Sequence, residues 1–274
     1  MAIHGGNSSE PMQVSAFNNQ MNSISGFPSA HVNRYRTTDP YMGDTGEGFG
    51  MADVLAEENS EMVEASVSLQ QPIWDLKTDY ITFTTDVTFQ LNRRSAPYLL
   101  SYVLVADGLK GEGDDWLQTN AYAAYYYGAY DDDPYMKEIC NDWDVYAAIT
   151  YNDVAVAGLG IDTGVAGSLK TAVDEGQTQS HSSKIGIKTN NLAKQATELR
   201  LIAMLYDKTR KVFINADEKV VITSDQNPVR DLNSAADAQV HERYSLDGKR
   251  LTAPARGLNL VRMSDGSIRK QLSR

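Results

Sequence analysis

At 274 residues and 30.2 kDa, with 42% hydrophobic and 22% charged residues, the chain has the composition of a globular protein of one large or two ordinary domains. No apolar run approaches the roughly 18 to 20 residues needed to cross a bilayer, so no transmembrane helix is predicted. The formal charge of −11 argues against nucleic acid as a partner, because phosphate binding needs a dominant basic surface.

That charge is unevenly placed. Residues 240 to 274 carry eight Lys and Arg against Glu242, Asp247 and Asp265, a local excess of +5 that leaves −16 for the rest. The tail therefore reads as a separate module. A single cysteine, Cys140, excludes an internal disulfide and any Cys-x-x-Cys pair within this chain. The opening MAIHGGNSSE has neither a cationic nor an apolar signal-peptide segment.

In chain order, "MAIH" reads as a strand end. "SSEPMQVSAFNNQM" predicts a helix capped by Ser8 or Ser9, with Pro11 in its first turn. "AHVNRY" predicts a strand, "YMGDTGEGFG" a loop and "MADVLAEENSEM" a brief helix. From Val63 the period becomes two: Val63, Ala65, Val67 and Leu69 share one face. So do Ile81, Phe83, Val87, Phe89 and Leu91, with Thr82, Thr84, Asp86 and Thr88 opposite.

"PYLLSYVLVADGL" is apolar on both faces and predicts an interior strand. "DVYAAITYNDVAVAGLG" mixes helix- and strand-compatible residues and is read as strand, whereas "IDTGVAGSLKTAVDEGQTQSHSS" reads mostly as loop. "ELRLIAMLYDKTRKVFINADEKVVI" predicts a strand, a turn near Asp207 to Arg210, a second strand, and a further short one after a break at Asn215 to Glu218. Residues 224–239 read as a linker. "RYSLDGKRL", "GLNLVRM" and "SIRKQL" predict three short strands, with Asp247-Gly248 and Asp265-Gly266 suited to type I′ turns.

The predicted fold class is mainly β: a β-sandwich at 61–223, preceded by a partial α/β segment at 1–60 and followed by a small β-meander at 240–274. Only a second sheet can cover the apolar face of the first.

"AIHGG", "SGFPSAHVNR", "YVLVADGL" with "QTNAY", and "NLAKQATELRLIAMLYDKTRKVFINAD" together resemble the outer membrane protein 28 family of Bacteroidetes-type envelope lipoproteins, from residue 1 to about 222. The resemblance implies a thioredoxin-like domain ahead of the sandwich, with Pro28 at the cis-proline position. Residues 1–60 are then the C-terminal part of that domain. A redox cysteine pair, the signal sequence and the lipid-bearing cysteine would all lie upstream of this chain. It also implies an outer-membrane or cell-surface location with attachment through that lipid. The C-terminal "YSLDGKRLTAPARGLNLVRMSDGSIRKQL" resembles the terminal sorting modules of type IX secretion substrates from the same bacteria.

No catalytic constellation stands out: Gly-x-Ser-x-Gly, His-Glu-x-x-His and phosphate-cradling glycine loops are absent from the sequence. His4 has no second histidine at metal spacing, and Glu138 and Asp142 flank Cys140 in a way that disfavours a thiolate. In "DDDPYMKEICNDWD", Asp131, Asp132 and Asp133 offer hard oxygen donors, read either as a solvated acidic loop or as a low-affinity Ca²⁺ site. No other cofactor is expected. Just upstream, Tyr125, Tyr126 and Tyr127 form a ligand-binding candidate for sugar faces or a protein partner, against the alternative that they fold over the sandwich.

The functional expectation is a non-catalytic envelope protein that binds or scaffolds an unidentified envelope protein or glycan. Two alternatives stay open. One is a thiol-disulfide oxidoreductase with its Cys-x-x-Cys upstream; the other is a glycan-binding module using the tyrosine-rich loop.

Overall fold

The computed structural model describes residues 1–5, 9–22, 24, 26, 28–38, 40, 50–60, 62–120, 122, 131–133, 136–137, 140, 146–225, 240–245, 249–255, 257–263 and 268–273. It is mainly β, and it divides into two units, Met1–Asp225 and Gln226–Arg274.

Among the described residues, two larger sheets form the sandwich of the first unit. One contains β3 (Ala65–Leu69), β4 (Ile73–Asp75), β5 (Tyr80–Phe89), β10 (Thr178–Gly186) and β13 (Ile222–Thr223), with β5 at its centre. The other runs in the order β12 (Val212–Val220), β11 (Glu198–Asp207), β6 (Tyr98–Asp107), β9 (Val154–Leu159). Ile81, Phe83, Val87 and Phe89 of β5 meet Leu100, Tyr102 and Leu104 of β6 and Leu201, Ala203 and Leu205 of β11 in one core, as the period of two requires.

β6 is apolar on both sides because its sheet is covered twice. Val103 and Val105, on the face away from the sandwich core, pack with Phe17, Ile3 and Val14 from the first twenty residues. Burying the Phe17 ring, which is 1% exposed, removes enough apolar area to stabilise this layer by about 2 kcal/mol. Residues 1–60 thus lie in the same unit as the sandwich.

The first residues do not form the predicted helix. Met12 is drawn into the sandwich core and Gln13 bridges His4, so Ser9–Met12 is a turn in which the Glu10 carboxylate accepts the Met12 N–H at 3.2 Å. Helix begins only with a 3₁₀ turn at Ser15–Phe17, continuing as α1 (Asn18–Met21). Ser8 lies outside the described residues. The expected strand at Ala30 to Tyr35 is instead a hairpin of β1 (Ala30–Val32) and β2 (Arg36–Thr38).

Its turn holds Asn33 and Arg34 at φ of 51° and 73°. For Arg34 this strained conformation is offset by its guanidinium, which donates to the Ile161 carbonyl at 2.5 Å and lies over the Tyr206 and Phe213 rings. Helix α2 (Met51–Ser60) follows as predicted.

Three further expectations are corrected. The serine-rich stretch expected as loop ends in β10, which pairs with β5 over its whole length. Its hydroxyls face solvent and bond across the strands, as in Thr84 to Ser182 at 2.8 Å and Thr88 to Thr178 at 2.7 Å. β12 has no break at Asn215 to Glu218, because Asn215 and Asp217 are used against β3 and Glu218 accepts from Arg200 of β11. In the second unit "RYSLDGKRL" is not one strand. Its two ends fall in β14 (Val240–Tyr244) and β15 (Arg250–Leu251), which join β16 (Gly257–Met263) and β17 (Ile268–Ser273) in the order β15-β14-β16-β17. Both Asp-Gly pairs lie outside the described residues.

Candidate binding surface

The connection from β6 to β9 is long, and nearly half of the chain's tyrosine is concentrated in it: seven of 15 fall between Leu109 and Thr150. Connections of this length are uncommon in compact domains and serve either as functional loops or as linkers. Its root is rigid. Gly108, at φ 75°, sits where a Cβ would fall 2.2 Å from the Thr197 hydroxyl, so only glycine fits. Leu109 and Tyr151 exchange both backbone hydrogen bonds at 2.9 Å.

The Tyr151 hydroxyl donates to the Trp116 carbonyl at 2.6 Å, and the Trp116 indole lies so close to Gly111 that a Cβ there would come within 2.0 Å. β7 (Leu117–Thr119) and β8 (Tyr146–Ala148) then pair. Around this stalk Tyr122, Tyr146 and Ile149 are 41%, 65% and 42% exposed. The predicted Tyr125, Tyr126 and Tyr127 lie outside the described residues.

The acidic candidates separate by role. Asp131 and Asp132 are exposed in a turn, while the Asp133 carboxylate accepts the Met136 N–H at 2.9 Å and so acts as a local cap. Among the described residues no group of three His, Cys, Asp or Glu side chains has the geometry to hold a metal. Cys140 is buried, and that burial, with Asp133 adding to it, pushes its thiol up, away from a reactive thiolate. His4 packs edge-on to Tyr151 at 5.5 Å. Burial lowers its pKa against the opposing pull of Glu10. Pro28 is exposed, two residues ahead of β1, and Phe27 lies outside the described residues.

Elsewhere, carboxylates are committed to structure. Arg200 donates to Asp107 through Nε at 3.0 Å and Nη2 at 3.1 Å, to Asp153 at 2.5 Å and to Glu218 at 2.9 Å, clamping β6, β9, β11 and β12. Burial opposes its charge, but these bonds outweigh it and hold the guanidinium more firmly protonated. Asp207, whose side chain is 2% exposed, accepts the Thr209 and Arg210 N–H groups and the Arg210 Nε. Burial would raise its pKa, yet those donors bring it below the usual carboxylate range.

Sequence reasoning missed a polar group inside the sandwich. Thr85 on β5 lies opposite His181 on β10, and the His181 ring stacks against Tyr102 at 6.4 Å. Thr85 Oγ1, Tyr102 Oη and His181 Nε2 are buried without a hydrogen-bond partner; the Thr85 hydroxyl lies near the phenol but short of bonding geometry. Burial pushes the Tyr102 phenol up to about 12 and lowers the His181 imidazole, so both are neutral at pH 7. The available signal was Thr85 itself, a polar residue in phase with the apolar face of β5.

No protein-family model and no curated protein matches the chain. Among solved structures, HBP35 of Porphyromonas gingivalis is similar over 98% of this chain and 83% of its own, at 13% identity and a TM-score of 0.49. A β-glucosidase from Kluyveromyces marxianus is similar over 58% of this chain and 14% of its own, at 7% identity and a TM-score of 0.24. At these values neither likeness assigns a family or a function. Among the described residues no helix is long and apolar enough to cross a membrane.

Proposed function

We propose that this chain is a non-catalytic binding or scaffolding module of the bacterial cell envelope, which presents the tyrosine-rich connection between β6 and β9 to a protein or glycan partner. One observation carries the reading: a root fixed by Gly108, Trp116 and Tyr151 stands beside exposed Tyr122, Tyr146 and Ile149. Rigid scaffolds that display irregular, aromatic-rich loops are a recurrent binding design. The commitment of Asp107, Asp153 and Asp207 to Arg200 and Arg210 leaves those carboxylates to stability rather than acid-base chemistry. Placement at the envelope rests on the sequence resemblance alone, as does the sorting role of the tail.

The test is a glycan array and an envelope-extract pull-down, each with and without calcium, using the full chain and a Tyr122→Ala/Tyr146→Ala double variant. A ligand held by the first and lost from the second is expected. No retained ligand, or equal retention by both, would sink the reading. A second reading, the thiol-disulfide oxidoreductase, rests on the sequence resemblance that assigns Pro28 a cis-proline position. Genomic sequence upstream of Met1 decides it: an in-frame Cys-x-x-Cys supports the enzyme, and a complete upstream domain without one removes it.

A further inference from the structure

The edges of the two sheets are treated unequally. β9 is covered by Ala2, which accepts from Ala155 at 2.8 Å and donates to Asp153 at 2.5 Å, and by Asn190, which donates to the Val156 carbonyl at 2.9 Å. β12 is met by Asn33 at Phe213 and by Gln71, whose amide donates to the Val220 carbonyl at 2.6 Å. β3 is capped by two side chains of β12: the Asp217 carboxylate accepts the Leu69 N–H at 2.7 Å, and the Asn215 amide donates to the Ala65 carbonyl at 3.0 Å. β13 is only two residues long. These are the usual ways of blunting an edge.

β10 has no such cover. It ends its sheet and pairs with β5 without a bulge from Thr178 to Gly186, and among the described residues nothing bonds to the backbone of its outer edge. The direction of that edge follows from the ladder. Phe89 donates to Gln177 and Ile187 donates to Asp79, so the odd-numbered residues of β10 exchange hydrogen bonds with β5. In an antiparallel pair the alternate residues then point their N–H and C=O outward. Thr178, Ser180, Ser182, Lys184 and Gly186 therefore offer a row of unpaired donors and acceptors.

We infer that β10 pairs with β10 of a second copy of this chain, antiparallel about a two-fold axis at Ser182, joining two five-stranded sheets into one. The register is self-consistent. Ser182 meets its own copy, Ser180 meets Lys184 and Thr178 meets Gly186, so every outward-facing residue opposes another. The charges agree as well. The strand carries no carboxylate, although the body to which it belongs is strongly acidic. Each Lys184 lies across from a Ser180 whose hydroxyl is bonded to Asp86 one strand further in, which brings unlike charges toward each other; no like charges are opposed. Neutral His181 faces Ser183. Such an isologous contact closes on itself and stops at a dimer.

Strand pairing alone gives a small interface, so the expected dimer is weak, with a Kd of about 10 to 100 μM. Sedimentation equilibrium of the full chain across that range is expected to show a concentration-dependent doubling of mass. Ser182→Pro removes one outward N–H and none of the backbone bonds to β5, losing there only the side-chain bond between the Ser182 and Thr84 hydroxyls. Ser182→Glu keeps the N–H but sets two carboxylates face to face.

Each variant, with circular dichroism confirming its fold, is expected to raise the Kd about tenfold or more, equivalent to the roughly 1.4 kcal/mol per decade of affinity. Amide exchange reads the register directly. Ser180, Ser182 and Lys184 should exchange fast at low concentration and slow at high, while Gln179, Ser183 and Ile185 are protected in both. A chain that stays monomeric throughout, or a dimer unaffected by both variants or lacking this alternation, overturns the proposal.

Discussion

Arg200 is one residue on β11, yet it touches carboxylates from each of the other three strands of its sheet or their flanks. Its side chain is 17% exposed and Asp107 is 20% exposed, so removing the guanidinium strands a half-buried charge in addition to breaking bonds. Arg200→Met is expected to cost about 2 kcal/mol in urea unfolding, more than an ordinary surface pair. His181 gives a prediction in pH. Burial lowers its folded pKa below the ordinary 6.5, so the unfolded chain binds more protons once pH falls through 6.5. Stability is then complete above 6.5 and declines as pH drops toward the folded pKa. His4 contributes in the same direction. Thermal midpoints at pH 7.5 and 5.5 should differ less for His181→Gln than for the natural chain; an unchanged difference would show that His181 is not the acid-sensitive group. Neither residue's role was legible in the sequence, because each depends on partners far along the chain.

At the scale of elements, legibility followed burial. β5, β6 and β11 declare themselves through apolar residues because each packs against the facing sheet. β10 does not: four of its nine residues are serine or threonine, and its strand character comes from pairing with β5. β12 was predicted to break at Asn215 because polar residues usually mark turns. Here Asn215 and Asp217, two apart and so on one side of the strand, cap the β3 backbone instead. Asp217→Ala leaves the buried Leu69 N–H without its acceptor and is expected to destabilise the chain by about 1 to 2 kcal/mol by chemical denaturation. A cost near zero would mean that water replaces the carboxylate at that edge.

For the whole molecule, the packing of Phe17, Ile3 and Val14 on β6 makes the N-terminal segment part of the sandwich's stability. Phe17→Ala should cost about 3 kcal/mol and lower the same calorimetric transition as Leu201→Ala, while leaving a separate transition of residues 226–274 in place. Two independent shifts for Phe17→Ala and Leu201→Ala would show instead that the first sixty residues unfold alone. By itself the sequence determined the class of the fold, the strands that line its core and the concentration of tyrosine in one long connection, since hydrophobic period and composition are local properties of the chain. Tertiary structure alone decided which edges are covered, which carboxylates are held by Arg200 and Arg210, and that Thr85, Tyr102 and His181 meet inside the sandwich. Each of those contacts joins residues from distant segments, and only folding sets the distance between them.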